Sequence, residues 1–191
     1  MNRIAQLDPA HTTGKARQLL DGVQAKMGSV PNLFRVFGNS PAALDAYLLF
    51  SGALNSGTLS AKEREQIALV VAEINDCPYC RNAHAVQGTE AGLNKRQIAD
   101  ARNVTPTDPH TVALLNLTRS VVVQRGDISE AEFHAARAGK LTDGEIIETV
   151  ANVGLNILTN YVNQVAKTVV DFPETIPAAH EVKAMRNKTS A

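Results

Sequence analysis

Two cysteines and a histidine stand at a spacing that can move both electrons and protons: Cys77-Pro78-Tyr79-Cys80, then His84. On a helix, Cys77 and Cys80 are i, i+3 and His84 is i+4 from Cys80, so all three share one face. Pro78 suits the first helical position, which makes Cys77 the N-cap. A thiol placed there meets the positive end of the helix dipole and free backbone N–H groups, and both favour thiolate over thiol. His84, one turn beyond Cys80, can accept its proton directly or through a water. Two sulfurs three residues apart can bond with little backbone movement, so one can attack an oxidant and the other resolve the product.

A carboxylate upstream belongs to the same reading. Glu65 lies within EQIALVVAEI, and its helical neighbours at i+3, i+4 and i+7 are Ala68, Leu69 and Ala72. An ionised carboxylate on an apolar stripe is costly unless paired or protonated. Such a group can relay protons; it can equally serve an inter-helix or inter-subunit ion pair. Glu63 has a simpler job as the third residue of a capping box opened by Ser60. Glu73 sits near a helix C-terminus, where the dipole disfavours it, and no function suggests itself.

These side chains need helices to carry them, and helix signals recur from end to end. Residues 13–27 read as a helix stopped by Gly28, followed by a loop with Pro31. Ser40-Pro41 opens a helix through AALDAYLLFSGAL. Ser60 with Glu63 opens one to about Asn75, and Cys77-Pro78 one to about Gly88. Asn94 caps a short helix through Ala101. A helix from about 109 to 124 ends by Gly126, and Ser129 with Glu132 and Thr142 with Glu145 are further capping boxes. The last helix reads as running to about Val170, before Pro173, and leaves a polar tail from Glu174 to Ala191. The β-branched run at 121–124 continues an i, i+3, i+4 pattern and reads as helix. The expected class is all-α: a single helical domain over 1–191, with the redox core at about 40–125.

Residues 59–84 resemble 141–166 at an offset of 82. Leu59 pairs with Leu141, Ser60 with Thr142, Glu63 with Glu145, Val71 with Val153 and Tyr79 with Tyr161. Cys77, Cys80 and His84 fall on Thr159, Val162 and Ala166. Either the core helices recur in degenerate form at 141–170, or two capped apolar helices merely look alike; in the first case only one copy carries chemistry.

Composition sets the remaining bounds. With 44% hydrophobic residues, 4% aromatics and no Trp, the core must be built from Ala, Val, Leu and Ile, which suits close-packed helices. Lys+Arg and Asp+Glu total 19 each, so nothing suggests a nucleic-acid footprint or an anionic membrane partner, and association into a homo-oligomer is weakly opposed. The N-terminus lacks an apolar signal region, and no stretch approaches the roughly 20 apolar residues that span a bilayer, so the expected location is cytoplasmic. In a reducing cytosol a C-x-x-C pair points to redox or metal chemistry rather than a structural staple. No nucleotide-binding motif occurs, and no cofactor is indicated.

The core LSAKEREQIALVVAEINDCPYCRNAHAVQG, residues 59–88, resembles the carboxymuconolactone decarboxylase superfamily, specifically its alkylhydroperoxidase D (AhpD)-like, peroxidase-related branch. Weaker similarity extends from VPNLFRVFGNSPAAL to the DFP at 171–173. The resemblance implies an all-α fold assembled into trimers or hexamers, and a cysteine pair that reduces hydroperoxides and is recycled by an external dithiol, a protein or a lipoyl group. On that basis Cys80 corresponds to the peroxide-reacting thiol and Cys77 to the more exposed partner that forms the disulfide and meets the reductant. His84 corresponds to the base for Cys80 and Glu65 to the relay carboxylate. The best-studied members carry a histidine between the cysteines where this chain has Tyr79, which can hold a hydrogen bond but will not shuttle protons near neutral pH. The superfamily's decarboxylases do not use this cysteine pair, so its presence argues against that activity.

Two rivals stay open. The cysteines with a histidine and a glutamate could bind zinc, although the second ligand pair of a finger is absent and His11, His110, His134 and His180 lie far off in sequence. The chain could also be a non-enzymatic oligomeric helical scaffold or stress-response protein with inert thiols. Phe34, Phe37, Tyr47 and Phe50 read as core or interface. His134 reads as solvated, and His110, in a first turn after Pro109, as neutral and structural.

Overall fold

The computed structural model describes residues 2–174; the rest of the polar tail lies outside the described residues. Among these residues the chain is all-helical, as expected. A 3₁₀ turn at Pro9–His11 precedes α1 (Gly14–Met27), α2 (Asn32–Phe37), α3 (Pro41–Leu54), α4 (Ala61–Ile74) and α5 (Pro78–Glu90). Then come α6 (Lys95–Asn103), α7 (Pro109–Gln124), α8 (Glu130–Ala138) and α9 (Asp143–Ala166).

The organising element is α4. Its N-terminus is closed by the expected capping box: the Ser60 hydroxyl accepts from the Glu63 amide and the Glu63 carboxylate accepts from the Ser60 amide at 2.7 Å. From Gln66 to Glu73 every residue is buried, so this stretch has no solvent face, and α4 packs against α5, α6, α7 and α9. On one side Leu69, Val70, Leu114, Leu115 and Val153 form a core shared by α4, α7 and α9. On the other, Leu20, Phe34, Phe37, Leu44 and Ala72 form a second core that also contains Tyr79, Cys77 and Cys80. A fully buried Leu such as Leu69 contributes roughly 1.5–3 kcal/mol.

Two expectations are corrected. The segment after Pro31, read as loop, contains α2; at six residues it is too short for an apolar period to reveal. The last helix, read to about Val170, ends at Ala166 with Lys167 in the left-handed region (φ 52°). The chain leaves the helix because its next residues bond to α2: Asn32 donates its backbone N–H to Asp171 Oδ2 (2.8 Å) and its side-chain amide to the Val169 carbonyl (3.1 Å). No helix among the described residues is long and apolar enough to cross a membrane.

Candidate active site

Cys77 sits where α4 stops and α5 begins, and it serves both ends. Asp76 takes the left-handed conformation (φ 51°), which lets its amide reach the Glu73 carbonyl (3.1 Å) and the Cys77 amide reach the Ala72 carbonyl (3.0 Å). That pair of bonds closes α4 in a Schellman arrangement. Cys77 then caps α5: its Sγ accepts from the Cys80 amide at 3.3 Å, with Pro78 at the first helical position. Cys77 and Cys80 are joined by a disulfide, their Cα atoms 5.3 Å apart.

Four side chains from three helices meet beyond the disulfide. His84 Nδ1 lies 2.8 Å from Glu65 Oε2, joining α5 to α4. The helices approach closely there: a Cβ on Gly88, one turn past His84, would sit 3.8 Å from the Glu65 Cβ and 3.2 Å from Leu93. Asn163, from α9, donates its side-chain N–H to Cys80 Sγ at 3.3 Å. His84, Cys80, Asn163 and Thr159 line one cavity of about 40 Å³, with Phe34 and Tyr47 also in its wall. No direct hydrogen bond joins His84 to either sulfur among the described residues. The cavity has room for a bridging water, which needs roughly 10–15 Å³ by the same measure.

The expected candidates thus fall into place unevenly. Glu65, His84 and Cys80 are brought together, with Cys77 bonded behind Cys80. The expectation that Cys77 is the more exposed thiol is corrected: Cys77 is 1% exposed and Cys80 2%. The reason is the double role of Cys77, which wedges it between two helices inside the second core. Tyr79 is structural. Its hydroxyl accepts from the Leu33 amide at 3.1 Å and its ring meets Phe172 edge-on at 5.5 Å, so it pins α2 and the 168–172 segment to α5. Burial, above all, pushes its phenol well up, with Asp171 adding to the effect against the Leu33 hydrogen bond. Tyr47, stacked on Phe37 (5.4 Å between centroids), is pushed up to about 12, first by burial and then by the Glu65 charge, with Ser51 opposing. Both tyrosines stay protonated across the neutral range.

Glu73, left without a function by the sequence, is a buried ion-pair residue. Its carboxylate meets Arg102 Nε at 2.9 Å, with Arg81 Nε at 3.9 Å. It ties α4 to α6 beneath the start of α5. Asn163 was missed altogether. The signal for it is periodic: Asn152, Asn156, Asn160 and Asn163 fall on one face of α9, and all four are buried.

Comparison with known proteins agrees with this architecture. The helical fold with a C-x-x-C at a helix start is AhpD-like. A peroxidase-related protein from Ralstonia eutropha JMP134, with an alkylhydroperoxidase AhpD core, superposes with a TM-score of 0.80 at 25% identity, over 89% of this chain and 92% of that one. A peroxidase-related protein from Silicibacter sp. TM1040 gives 0.76 at 24%, over 87% and 89%. A variant of the debrominase Bmp8 in complex with 2,3,4-tribromopyrrole gives 0.75 at 13%, over 97% and 96%, and so shares the fold. No curated protein sequence matches significantly. Residues 41–107 match the model of the carboxymuconolactone decarboxylase family. The resemblance read from the sequence therefore holds: this segment is of the carboxymuconolactone decarboxylase superfamily, set in an AhpD-like fold.

Proposed function

We propose that the protein is a thiol-dependent peroxidase that reduces hydroperoxides through a dithiol–disulfide cycle at Cys77 and Cys80. The observation that carries this reading is the line Glu65–His84–cavity–Cys80, with Cys77 bonded to Cys80. Glu65 takes Nδ1 of the imidazole, so Nε2 is the nitrogen that exchanges the proton, through a water in the cavity. In the reduced protein His84 takes the Cys80 proton. The thiolate attacks the terminal oxygen of ROOH; the S–O bond forms, the O–O bond breaks, and the leaving alkoxide takes the proton from His84 as ROH. Cys77 then attacks the sulfenic acid, releasing water, and an external dithiol, on a protein or a lipoyl group, exchanges with the disulfide.

A second reading rests on burial. Two sulfurs at 1% and 2% exposure suit an oligomeric scaffold with inert thiols. One experiment separates the two: the reduced protein is titrated for thiols with and without one equivalent of hydroperoxide, and the 77–80 bridge is mapped by mass. The peroxidase reading expects rapid loss of both thiols into that bridge. Thiols that persist at equimolar peroxide reject it.

The same proposal includes a homo-oligomer, formed through α9. After its first turn every exposed residue of that helix is apolar or glycine: Ile147, Val150, Gly154, Leu158, Tyr161 and Val165. The strip runs about 27 Å, carries no charge, and centres near Gly154, which suits a second copy laid across it. A cytoplasmic location is part of the same reading.

A further inference from the structure

We infer that Asn163 is a further catalytic residue: its N–H holds the Cys80 thiolate, and its carbonyl oxygen receives the hydroxyl of the incoming hydroperoxide. The second half rests on the peroxidase reading above; the first does not.

The contrast with Asn152 and Asn156, two turns or more earlier on α9, carries the argument. Asn152 and Asn156 turn their amides back along the helix, donating to the Glu148 carbonyl (2.8 Å) and the Asn152 carbonyl (2.9 Å) one turn earlier. This is the ordinary way for a buried polar side chain to satisfy itself on a helix. Asn163 does not bond back to the carbonyl of Thr159; it reaches across to Cys80 Sγ at 3.3 Å. Its own carbonyl oxygen is buried and has no partner among the described residues, although the residue is only 5% exposed. A buried acceptor left open in this way is costly and calls for a donor. The residue lines the cavity that also holds Cys80 and His84.

Each half of the amide has a task. A disulfide sulfur is a weak acceptor, whereas a thiolate is a strong one, so the N–H bond strengthens when reduction brings charge to Cys80 and favours the ionised form. A hydroperoxide ROO–H that donates to Asn163 Oδ1 holds its terminal oxygen beside Sγ. As the S–O bond forms and the O–O bond breaks, that oxygen keeps its hydrogen and becomes the sulfenic hydroxyl. The alkoxide leaves with the proton from His84. The hydrogen bond to Asn163 therefore persists through the step, and a substrate lacking a terminal hydroxyl is not held.

The test uses the full chain, reduced, in a Cys77→Ser background so that Cys80 is the single thiol. Alkylation by iodoacetamide is followed against pH in the parent, in Asn163→Ala and in the isosteric Asn163→Asp. The groups around Cys80 that titrate or carry charge are His84 with Glu65, Tyr47 and Tyr79, and the substitutions leave all of them in place. Asn163→Ala should move the alkylation midpoint up by about one unit, tenfold less thiolate at a pH below it. Asn163→Asp should move it further, because the donor becomes a like charge. Coincident profiles overturn the donor role. In a second arm, single-turnover oxidation by cumene hydroperoxide is measured at a pH above all three midpoints, where the thiolate fraction is equal. Asn163→Ala should remain at least tenfold slower there while its alkylation rate matches the parent. Equal oxidation rates overturn the acceptor role. A parent that alkylates with a lowered midpoint but ignores peroxide rejects the peroxidase reading and leaves the donor role standing.

Discussion

Residues 59–84 and 141–166 both start from a leucine buried under a capping box, Leu59 below Ser60 and Glu63, and Leu141 below Thr142 and Glu145. Sixteen residues on from those leucines they part. In the first segment the helix breaks at Asn75-Asp76-Cys77 and restarts, and the restart supplies a helix N-terminus with sulfur at the cap. At the same offset the second segment has Ile157-Leu158-Thr159 and Asn160 in place of Pro78, and it continues unbroken as the 24-residue α9. The chemistry is therefore a property of the interruption. The uninterrupted helix acts as its wall, contributing Thr159 and Asn163 to the cavity and accepting, at Asn160 Oδ1, a hydrogen bond from Asn75 (3.2 Å). Gln164 also donates to the Asn75 carbonyl, so α9 braces the break itself.

The most severe way to break this contrast is to remove the sulfur that the second segment lacks. Cys80→Ser should abolish peroxide turnover in the full chain, leaving thermal stability close to that of the reduced parent. Residual turnover above the uncatalysed rate, measured by peroxide consumption, rejects Cys80 as the attacking thiol. Next comes His84, whose counterpart is Ala166. His84→Ala should slow the oxidation step by roughly 10²–10⁴-fold, the usual worth of a positioned acid–base group, and raise the pH optimum, because the thiolate must then form unaided. Glu65→Gln, which keeps a hydrogen bond to the ring but removes the charge, should fall between the parent and His84→Ala. An unchanged pH–rate profile in His84→Ala would count against the base role.

Glu73 sharpens the comparison from the side of stability, because its counterpart is Leu155, 9% exposed. Where the first segment buries an ion pair to Arg102, the second buries a leucine. Removing one partner by Glu73→Ala should destabilise by about 3–5 kcal/mol, the usual cost of breaking a buried ion pair from one side. Converting the pair to the second segment's chemistry, with Glu73→Leu and Arg102→Met together, should cost far less than either single change. Urea unfolding of the three variants measures this. A double variant as unstable as the sum of the singles would show that Glu73 and Arg102 act independently of each other.

The caps were legible in the sequence because each is a local bargain between a side chain and an amide three residues away. Ser60–Glu63, Asn94, Ser129–Glu132 and Thr142–Glu145 all cap helices where the sequence puts them, Asn94 with Gln97 as a partner the sequence reading did not name. The grouping of Cys77, Cys80 and His84 was legible for the same reason, being carried by one helix. What the sequence did not show depends on distance along the chain. Asn163 lies 83 residues from Cys80, and an asparagine in a long apolar helix gives no sign of which element it faces. The end of α9 was misplaced because Thr168-Val169-Val170 prolong an apolar run, whereas the bonds that pull them away come from Asn32, more than 130 residues earlier. The burial of Cys77 was hidden because its two capping roles belong to two different helices.

The smallest effect concerns the tie between the two segments. Glu148, in α9, accepts from the Thr58 amide (2.8 Å), the Thr58 hydroxyl (3.0 Å) and the Leu59 amide (3.0 Å), so the second segment holds down the entrance to the first. Those amides, Leu59 first and Thr58 next, hold the carboxyl below its ordinary value of 4.5. A depressed pKa places its stabilisation above that value: full at neutral pH, and lost as pH falls from about 4.5 through the lower folded value. Glu148→Gln keeps one acceptor but neither the charge nor the second oxygen. At pH 7 it should cost about 1 kcal/mol, modest because solvent competes for these hydrogen bonds. The difference between parent and variant should shrink steadily below pH 4.5, because the parent's own carboxylate is being protonated. Glu145, which caps α9 and whose carboxyl is lowered above all by the Thr142 amide, is raised by the neighbouring Glu148 charge, so Glu148→Gln also relieves that repulsion and trims the cost of the substitution at neutral pH. A gap in urea midpoint that stays constant from pH 7 to pH 3 would mean that the tie works through shape rather than through the charge of Glu148.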